Sequence, residues 1–428
     1  MTQFVPIQKL DIFRRLSNNK RVLAGVLAQN SQGVYFQYDP DYLLNYPTLS
    51  PFNLPFDGDL HQAPREPHQG LHGVFADSLP DGWGTLLMNR VFRQHGILPH
   101  QLTAMDRLAY IGNRGMGALE YSPTSDYATQ DNSNWIDVAM LGEEAQLLYD
   151  GQTETVLAQL ANAGSSGGAR PKAQIYLQRD NATLASTIAK PDLEPWLVKF
   201  TSASLDLGHE EGLCEAAYLS MAAQAGIDVP QWQLITPPEK SSAIAWLALR
   251  RFDCSPHQGR YHFHSLAGML DVDFRTPAVD YETIIKASQI LCKSPVAGQK
   301  QFTRAIFNLF SLNQDDHSKN WAFLQQDNGE WKIAPFYDVT FSPTPYGEHS
   351  TSFAGYGKNP PLKAIQQLAA QANFENYAHA RAAMEKIVSA IHNWHDTAMH
   401  LDIRAETRKL IAERLNDVYQ QNKHLLSK

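Results

Sequence analysis

Residues 313–338 constrain this chain more than any other stretch. They run Asn-Gln-Asp-Asp-His-Ser-Lys-Asn, then Trp-Ala-Phe-Leu, then a polar segment with Asn328-Gly329, then Trp-Lys-Ile-Ala-Pro-Phe-Tyr and Asp338. Both residues of Asn-Gly tolerate positive φ, so the pair predicts a hairpin turn joining strands at 321–324 and 331–336. Upstream, Phe302, Ile306, Leu309 and Phe310 recur at helical spacing. A helix, a polar loop and a hairpin therefore form one unit, and closing the hairpin brings Asp338 back beside Asn320.

That unit carries the layout of a kinase-like phosphotransferase, in which one acid sits by the attacking hydroxyl and an Asn and a second acid hold magnesium. Asp315 and Asn320 have the separation of the D-x-x-x-x-N loop of protein kinases. Asp315 is the expected base, and Asn320 and Asp338 are the expected metal ligands. Asp316 is the neighbouring alternative; Asp315 is preferred because it alone has the spacing to Asn320. Lys319 can offset charge on a transferred phosphoryl group, and His317 is expected to brace the loop. The competing reading is an ordinary helix–loop–hairpin with solvated polar side chains.

Earlier segments add parts in a telling order. Residues 164–172 read Gly-Ser-Ser-Gly-Gly-Ala-Arg-Pro-Lys. Glycines let backbone N–H groups approach phosphate oxygens, and the cation Lys172 follows. The spacing is not that of a Walker loop; a kinase-type loop between two strands fits better, though the segment before Gly164 looks helical, and taken alone the stretch reads better as a flexible hinge. Lys199 ends the apolar run Trp-Leu-Val-Lys-Phe, as a phosphate-binding strand lysine does. Glu215 lies on a helix expected at 211–225 and can pair with it. Glycine loop, strand Lys, helix Glu, catalytic loop and metal Asp stand in kinase order.

Composition sets the frame. A chain of 428 residues, 43% hydrophobic, suits two or three domains of about 100–200 residues each. The net charge of −8 argues against strong intrinsic nucleic-acid affinity, which needs cations to displace counterions. Three scattered cysteines suggest a reducing compartment and no disulfide framework. No apolar run reaches the ~20 residues of a membrane span, and no signal pattern opens the chain, so a soluble cytoplasmic protein without membrane contact is expected. The His68/His72, His262/His264 and His392/His395 pairs lack a third ligand and are expected at the surface.

The motifs Phe-Ala-Asp-Ser-Leu-Pro-Asp (75–81), Ile-Gly-Asn-Arg-Gly-Met-Gly-Ala-Leu (111–119), Gly-Gly-Ala-Arg-Pro-Lys-Ala (167–173), Asn-x-Asp-x-His-x-Lys-Asn (313–320) and Pro-Phe-Tyr-Asp (335–338) resemble the HipA family of bacterial serine/threonine kinases. These are the toxin halves of HipA–HipB toxin–antitoxin pairs. The resemblance implies a two-lobed protein-kinase-like α+β fold: a small β-rich N-terminal subdomain at 1–125, a kinase N-lobe at 140–250 and a mainly helical C-lobe at 251–428. It implies ATP and Mg2+, with Asp315 as base, Asn320 and Asp338 on the metal, and Lys199 on the phosphates. Gly167, Gly168, Lys172, His317 and Lys319 complete the nucleotide site, with adenine facing the backbone around Arg250–Phe252. Arg250 departs from the Glu common at that hinge position. Autophosphorylation falls on Ser165, or Ser166 in the next register. The implied partners are a HipB-like helix-turn-helix antitoxin, operator DNA read mainly through it, and a protein substrate such as an aminoacyl-tRNA synthetase. A small-molecule phosphotransferase and an inactive kinase-like corepressor module are the alternatives.

Overall fold

A computed structural model describes residues 4–128, 135–156, 158–164, 167–178 and 181–427. The first sheet takes β1 (Lys9–Arg15), β2 (Arg21–Asn30), β3 (Gly33–Tyr38), β4 (His61–Gln62) and β5 (Leu119–Ser122) in the antiparallel order β4-β3-β2-β1-β5. On β1, Leu10, Ile12 and Arg14 alternate inward, the two-residue period of a half-buried strand. Arg14 is a buried charge whose two terminal nitrogens find acceptors. It donates to Tyr42 Oη at 3.1 Å and to Gln325 Oε1 at 3.0 Å, which ties this sheet to the hairpin that follows the 313–320 loop.

The second sheet takes β6 (Trp135–Ile136), β7 (Lys172–Gln178), β8 (Asn181–Ser186), β9 (Glu194–Lys199), β10 (Trp232–Ile235) and β11 (Trp246–Arg250) in the order β10-β11-β9-β7-β8-β6. Its register sets Lys172 opposite Lys199 and Lys199 opposite Leu247. Two lysines thus end neighbouring strands on one rim. The helix Gly82–Gln94 packs its buried side, Trp83, Leu87, Met88, Val91 and Phe92, into the core of this sheet with Trp196 and Trp246. The N-terminal region and the second sheet therefore share a core.

The third sheet is β12 (His262–Ser265), β13 (Ala322–Gln325) and β14 (Trp331–Ile333). It lies on a helical mass built around Pro295–Ser311, whose Phe302, Ile306, Leu309 and Phe310 are buried as their spacing requires. The α+β architecture is as expected, with a β-rich N-terminal region and a helical C-terminal portion. The predicted hairpin forms: Gly329 has φ +90° and its N–H donates to Gln326 O at 3.0 Å. No described helix is long and apolar enough to cross a membrane.

Several expectations need correction. The glycine-rich segment joins the short helix Ala158–Asn162 to β7 rather than joining two strands. The helix Val138–Tyr149 and strand β1 were not foreseen. His72, His262 and His264 are buried, not at the surface. His264 sits between Asp77 Oδ2 at 2.6 Å and Ser50 Oγ at 2.9 Å, and His262 Nε2 lies 2.7 Å from Leu49 O. Partners supplied by the N-terminal region make their burial tolerable.

Candidate active site

Leu312, in the left-handed region at φ +58°, ends the helix Pro295–Ser311 and turns the chain into the polar loop. The loop is tied at several points. Asn320 Nδ2 donates to Asp315 O at 2.8 Å, so the five-residue spacing closes on itself. Ser342 Oγ accepts from Asp315 N–H at 3.3 Å and donates to Asn313 Oδ1 at 3.0 Å, while Tyr337 Oη donates to Lys319 O at 2.8 Å. The 313–320 loop and the Asp338 segment are thereby one braced unit. Asp338 itself holds φ +55°, a backbone state that Asp adopts more readily than most residues.

The two adjacent acids have different surroundings. Asp316 is fully buried and accepts from Tyr281 Oη and from Thr351 N–H at 3.1 Å, with His349 Nδ1 at 2.9 Å. It does not line the cleft. The Asp315 side chain is 64% exposed and faces the cleft. Crowding by protein atoms and repulsion from Asp338 and Asp316 lift its carboxyl above the ordinary range, against His317 and Arg170. His317 Nε2 stands 3.7 Å from Asp315 Oδ1, its ring packs 5.2 Å from Phe274, and its buried Nδ1 has no hydrogen-bond partner.

Across the cleft, Lys199 Nζ donates to Glu215 Oε1 at 2.7 Å, Glu215 Oε2 at 2.8 Å and Asp338 Oδ1 at 2.7 Å. The Lys–Glu pair read from the sequence is therefore present. Burial would push the Asp338 carboxyl up, yet Lys199 and Lys172 hold it well below the usual carboxylate range. Burial brings Lys172 down to about 8 despite Asp338 and Asp81. Lys172 Nζ donates to Gly167 O at 2.5 Å, so the cation holds the glycine loop. Ser165 and Ser166 lie outside the described residues.

These groups line one cavity of about 500 Å3: Asp315, His317, Lys319, Asn320, Asp338, Lys199, Lys172, Gly167, Gly168, Arg250 and Phe252 all border it. Its lining has seven Lys or Arg (170, 172, 199, 250, 251, 275, 319) against four Asp (77, 81, 315, 338). That local excess of positive charge runs against the chain's net −8 and suits an anionic ligand. One end is apolar, with Leu197, Leu249, Met116, Phe252, Phe263 and Tyr337; the Phe252 and Tyr337 rings lie 5.5 Å apart. At the hinge, Arg250 pairs with Glu194, and the N–H groups of Arg250 and Arg251 donate to Gln231 O and Pro195 O.

Sequence reasoning named the motif containing Asp77 and Asp81 but gave those residues no role. Both border the cavity. Asp77 accepts from Ser265 N–H and Ser265 Oγ, each at 2.6 Å, and pairs with His264. Arg170, also missed, pairs with Glu211 at 3.0 Å and feels Asp338 and Asp315. Its place directly after Gly168-Ala169 was the available signal.

The donor set fits magnesium. Asp338 has a second carboxylate oxygen beyond the one on Lys199, and Asn320 adds an amide oxygen. Magnesium favours hard oxygen ligands and is commonly held by one or two protein groups plus substrate phosphates and water. Among the described residues no three His, Cys, Asp or Glu side chains converge as a self-sufficient cage, so such a site needs the phosphates to complete it.

Two lobes around a cleft with a buried Lys–Glu pair, a glycine loop and a paired Asp/Asn loop define a protein of protein-kinase-like class. The chain matches the HipA-like C-terminal domain over residues 164–396 and the HipA N-terminal domain over residues 18–122. It belongs to the HipA family. A candidate kinase of Haemophilus influenzae is 25% identical over 211 residues, 47% of this chain; the match spans 59% of that relative's length. HipA of Shewanella oneidensis MR-1, solved with HipB and its operator DNA, superimposes with TM-score 0.67 at 15% identity, covering 96% of each chain. The Helicobacter pylori proinflammatory kinase CtkA aligns at TM-score 0.40 and 12% identity over 56% of this chain and 91% of that one.

Proposed function

We propose that this protein is a Mg-ATP-dependent kinase that phosphorylates Ser or Thr hydroxyls on a protein, and that it is the toxin of a pair with a HipB-like antitoxin. The observation that carries the reading is the convergence of Asp315, Asn320, Asp338 and Lys199 on one cationic cavity with an apolar end. Adenine takes the apolar end, against Leu197, Leu249 and Phe252. With two hinge amides already committed, its edge turns to the Phe252 peptide. The triphosphate runs under Gly167 and Gly168 toward Lys199 and Lys172.

Asp315 accepts the proton of the acceptor hydroxyl as it attacks. Burial and the neighbouring acids raise its carboxyl above the ordinary range, which makes it a better base. Lys199 stays charged: burial disfavours its charge, but Asp338 and Glu215 more than offset this. Glu215 fixes the ammonium so that it meets phosphate without reorganising. Asp338 and Asn320 would hold magnesium, which neutralises phosphate charge when bound. Lys319 lies where charge on the moving phosphoryl group spreads. Ser165, or Ser166, is the proposed autophosphorylation site, and operator DNA and the protein substrate follow from the same family reading.

The test is transfer of labelled γ-phosphate from ATP to protein, with products identified by mass spectrometry. Wild type should label a protein hydroxyl, and Asp315→Asn should lose transfer while melting like wild type. Full activity in Asp315→Asn would remove it as the base, and label only on a small molecule would favour another phosphotransferase.

A further inference from the structure

Three consecutive residues of the N-terminal region, Asp81 to Trp83, meet the glycine-rich segment beside the cleft. Asp81 Oδ1 accepts from Gly168 N–H, and Asp81 Oδ2 accepts from Lys319 Nζ at 2.8 Å. The Trp83 N–H donates to Gly168 O at 3.1 Å, and its indole Nε1 donates to Lys172 O at 2.8 Å. Between them Gly82, at φ +36°, lies so close to the glycine loop that a Cβ would stand 2.5 Å from Ala169 Cα. Asp81 borders the cavity. Burial pushes its carboxyl up, but Lys319 and the Gly168 N–H hold it below the usual range, so it is an anion at neutral pH.

We propose that Asp81 is a positioning residue for phosphoryl transfer: its two oxygens fix Lys319 Nζ and Gly168 N–H relative to each other across the cleft. A lysine ammonium is a point charge on a flexible stem and is costly to hold in one place. Here Asp81 and the Phe274 ring, 5.0 Å from Nζ, confine it. The same carboxylate pins the amide at the glycine-loop tip. The N-terminal region is thereby part of the phosphoryl-transfer machinery. This rests on the phosphotransferase reading, because Lys319 has a charge to stabilise only if a phosphoryl group passes it.

Asp81→Asn separates the two arms. Asn Oδ1 still accepts from Gly168 N–H, but its amide nitrogen cannot hold an ammonium. The expected result is a fall in kcat on the order of 10- to 100-fold, with calorimetric affinity for Mg-ATP unchanged and hydrogen exchange at 167–172 as slow as in wild type. Lys319→Met should lose kcat similarly, and the double variant should be no worse than the worse single variant, as residues acting as one unit behave. Lys319→Met approaches the pair from its more exposed side, so the test survives if Asp81→Asn folds poorly; restored kcat in Asp81→Glu would add support. An unchanged kcat in Asp81→Asn, losses that multiply, or tighter Mg-ATP binding would each overturn the proposal, the last by making Asp81 a competitor of phosphate. Wild type that transfers no phosphoryl group at all would sink the phosphotransferase reading itself, and this proposal with it.

Discussion

Lys199→Met tests the electrostatic centre of the fold. Lys199 joins two carboxylates, with side-chain exposures of 8% for Lys199, 2% for Glu215 and 30% for Asp338. Removing one partner of a buried pair costs about 3–5 kcal/mol, because the other charge is left uncompensated. Solvent reaching Asp338 screens part of this, so the lower end, about 3 kcal/mol, is the expectation. The sign of its pH dependence follows from Asp338. Its folded value is depressed, so the wild-type stabilisation is present above the unfolded value of ~3.9 and lost as pH falls through the folded value. The variant has lost it already at pH 7. Wild type and variant should therefore converge as pH drops below about 4. Urea denaturation followed by tryptophan fluorescence reads the difference, and Lys199→Met/Glu215→Leu should recover part of the loss because the more buried acid is gone. A Lys199→Met protein within about 0.5 kcal/mol of wild type at pH 7 would refute the reasoning.

Three further outcomes follow. Lys172, brought to about 8 by burial, should lose charge as pH rises past that value: ATP affinity falls, while stability rises between about 8 and the unfolded lysine value of ~10.4; calorimetry and denaturation on Lys172→Met should find both slopes gone. Gly82→Ala should displace the glycine loop at a cost of about 1–3 kcal/mol and raise KM for ATP, and an unchanged KM would contradict the close approach. Asp316→Ala should destabilise by ~3 kcal/mol or more, since it strands a buried tyrosine hydroxyl, an amide and a histidine; a melting profile like wild type would contradict its structural role.

The chain revealed what is local. The Asn328-Gly329 turn, the apolar spacing from Phe302 to Phe310 and the Lys199–Glu215 order all depend on neighbours within a few turns of chain or on one strand–helix step. Asp81 could not be read that way. Its partners are 87 and 238 residues distant, and nothing in its own segment says which loop it meets. His262 and His264 misled for the same reason: an alternating His-Phe-His looks solvated until Leu49, Ser50 and Asp77 arrive from far upstream to satisfy it. Strand β1 was missed because its inward positions include Arg14, an apolar-pattern breaker whose burial Tyr42, Gln325 and the Gln326 carbonyl explain.

Calorimetric titration of a non-hydrolysable ATP analogue, with and without magnesium, probes the cleft most directly. Wild type should bind, and magnesium should tighten binding; Asp338→Ala should lose the magnesium effect while retaining weak nucleotide binding through the apolar end and glycine loop. Binding indifferent to magnesium in wild type, or an intact magnesium effect in Asp338→Ala, would contradict the account.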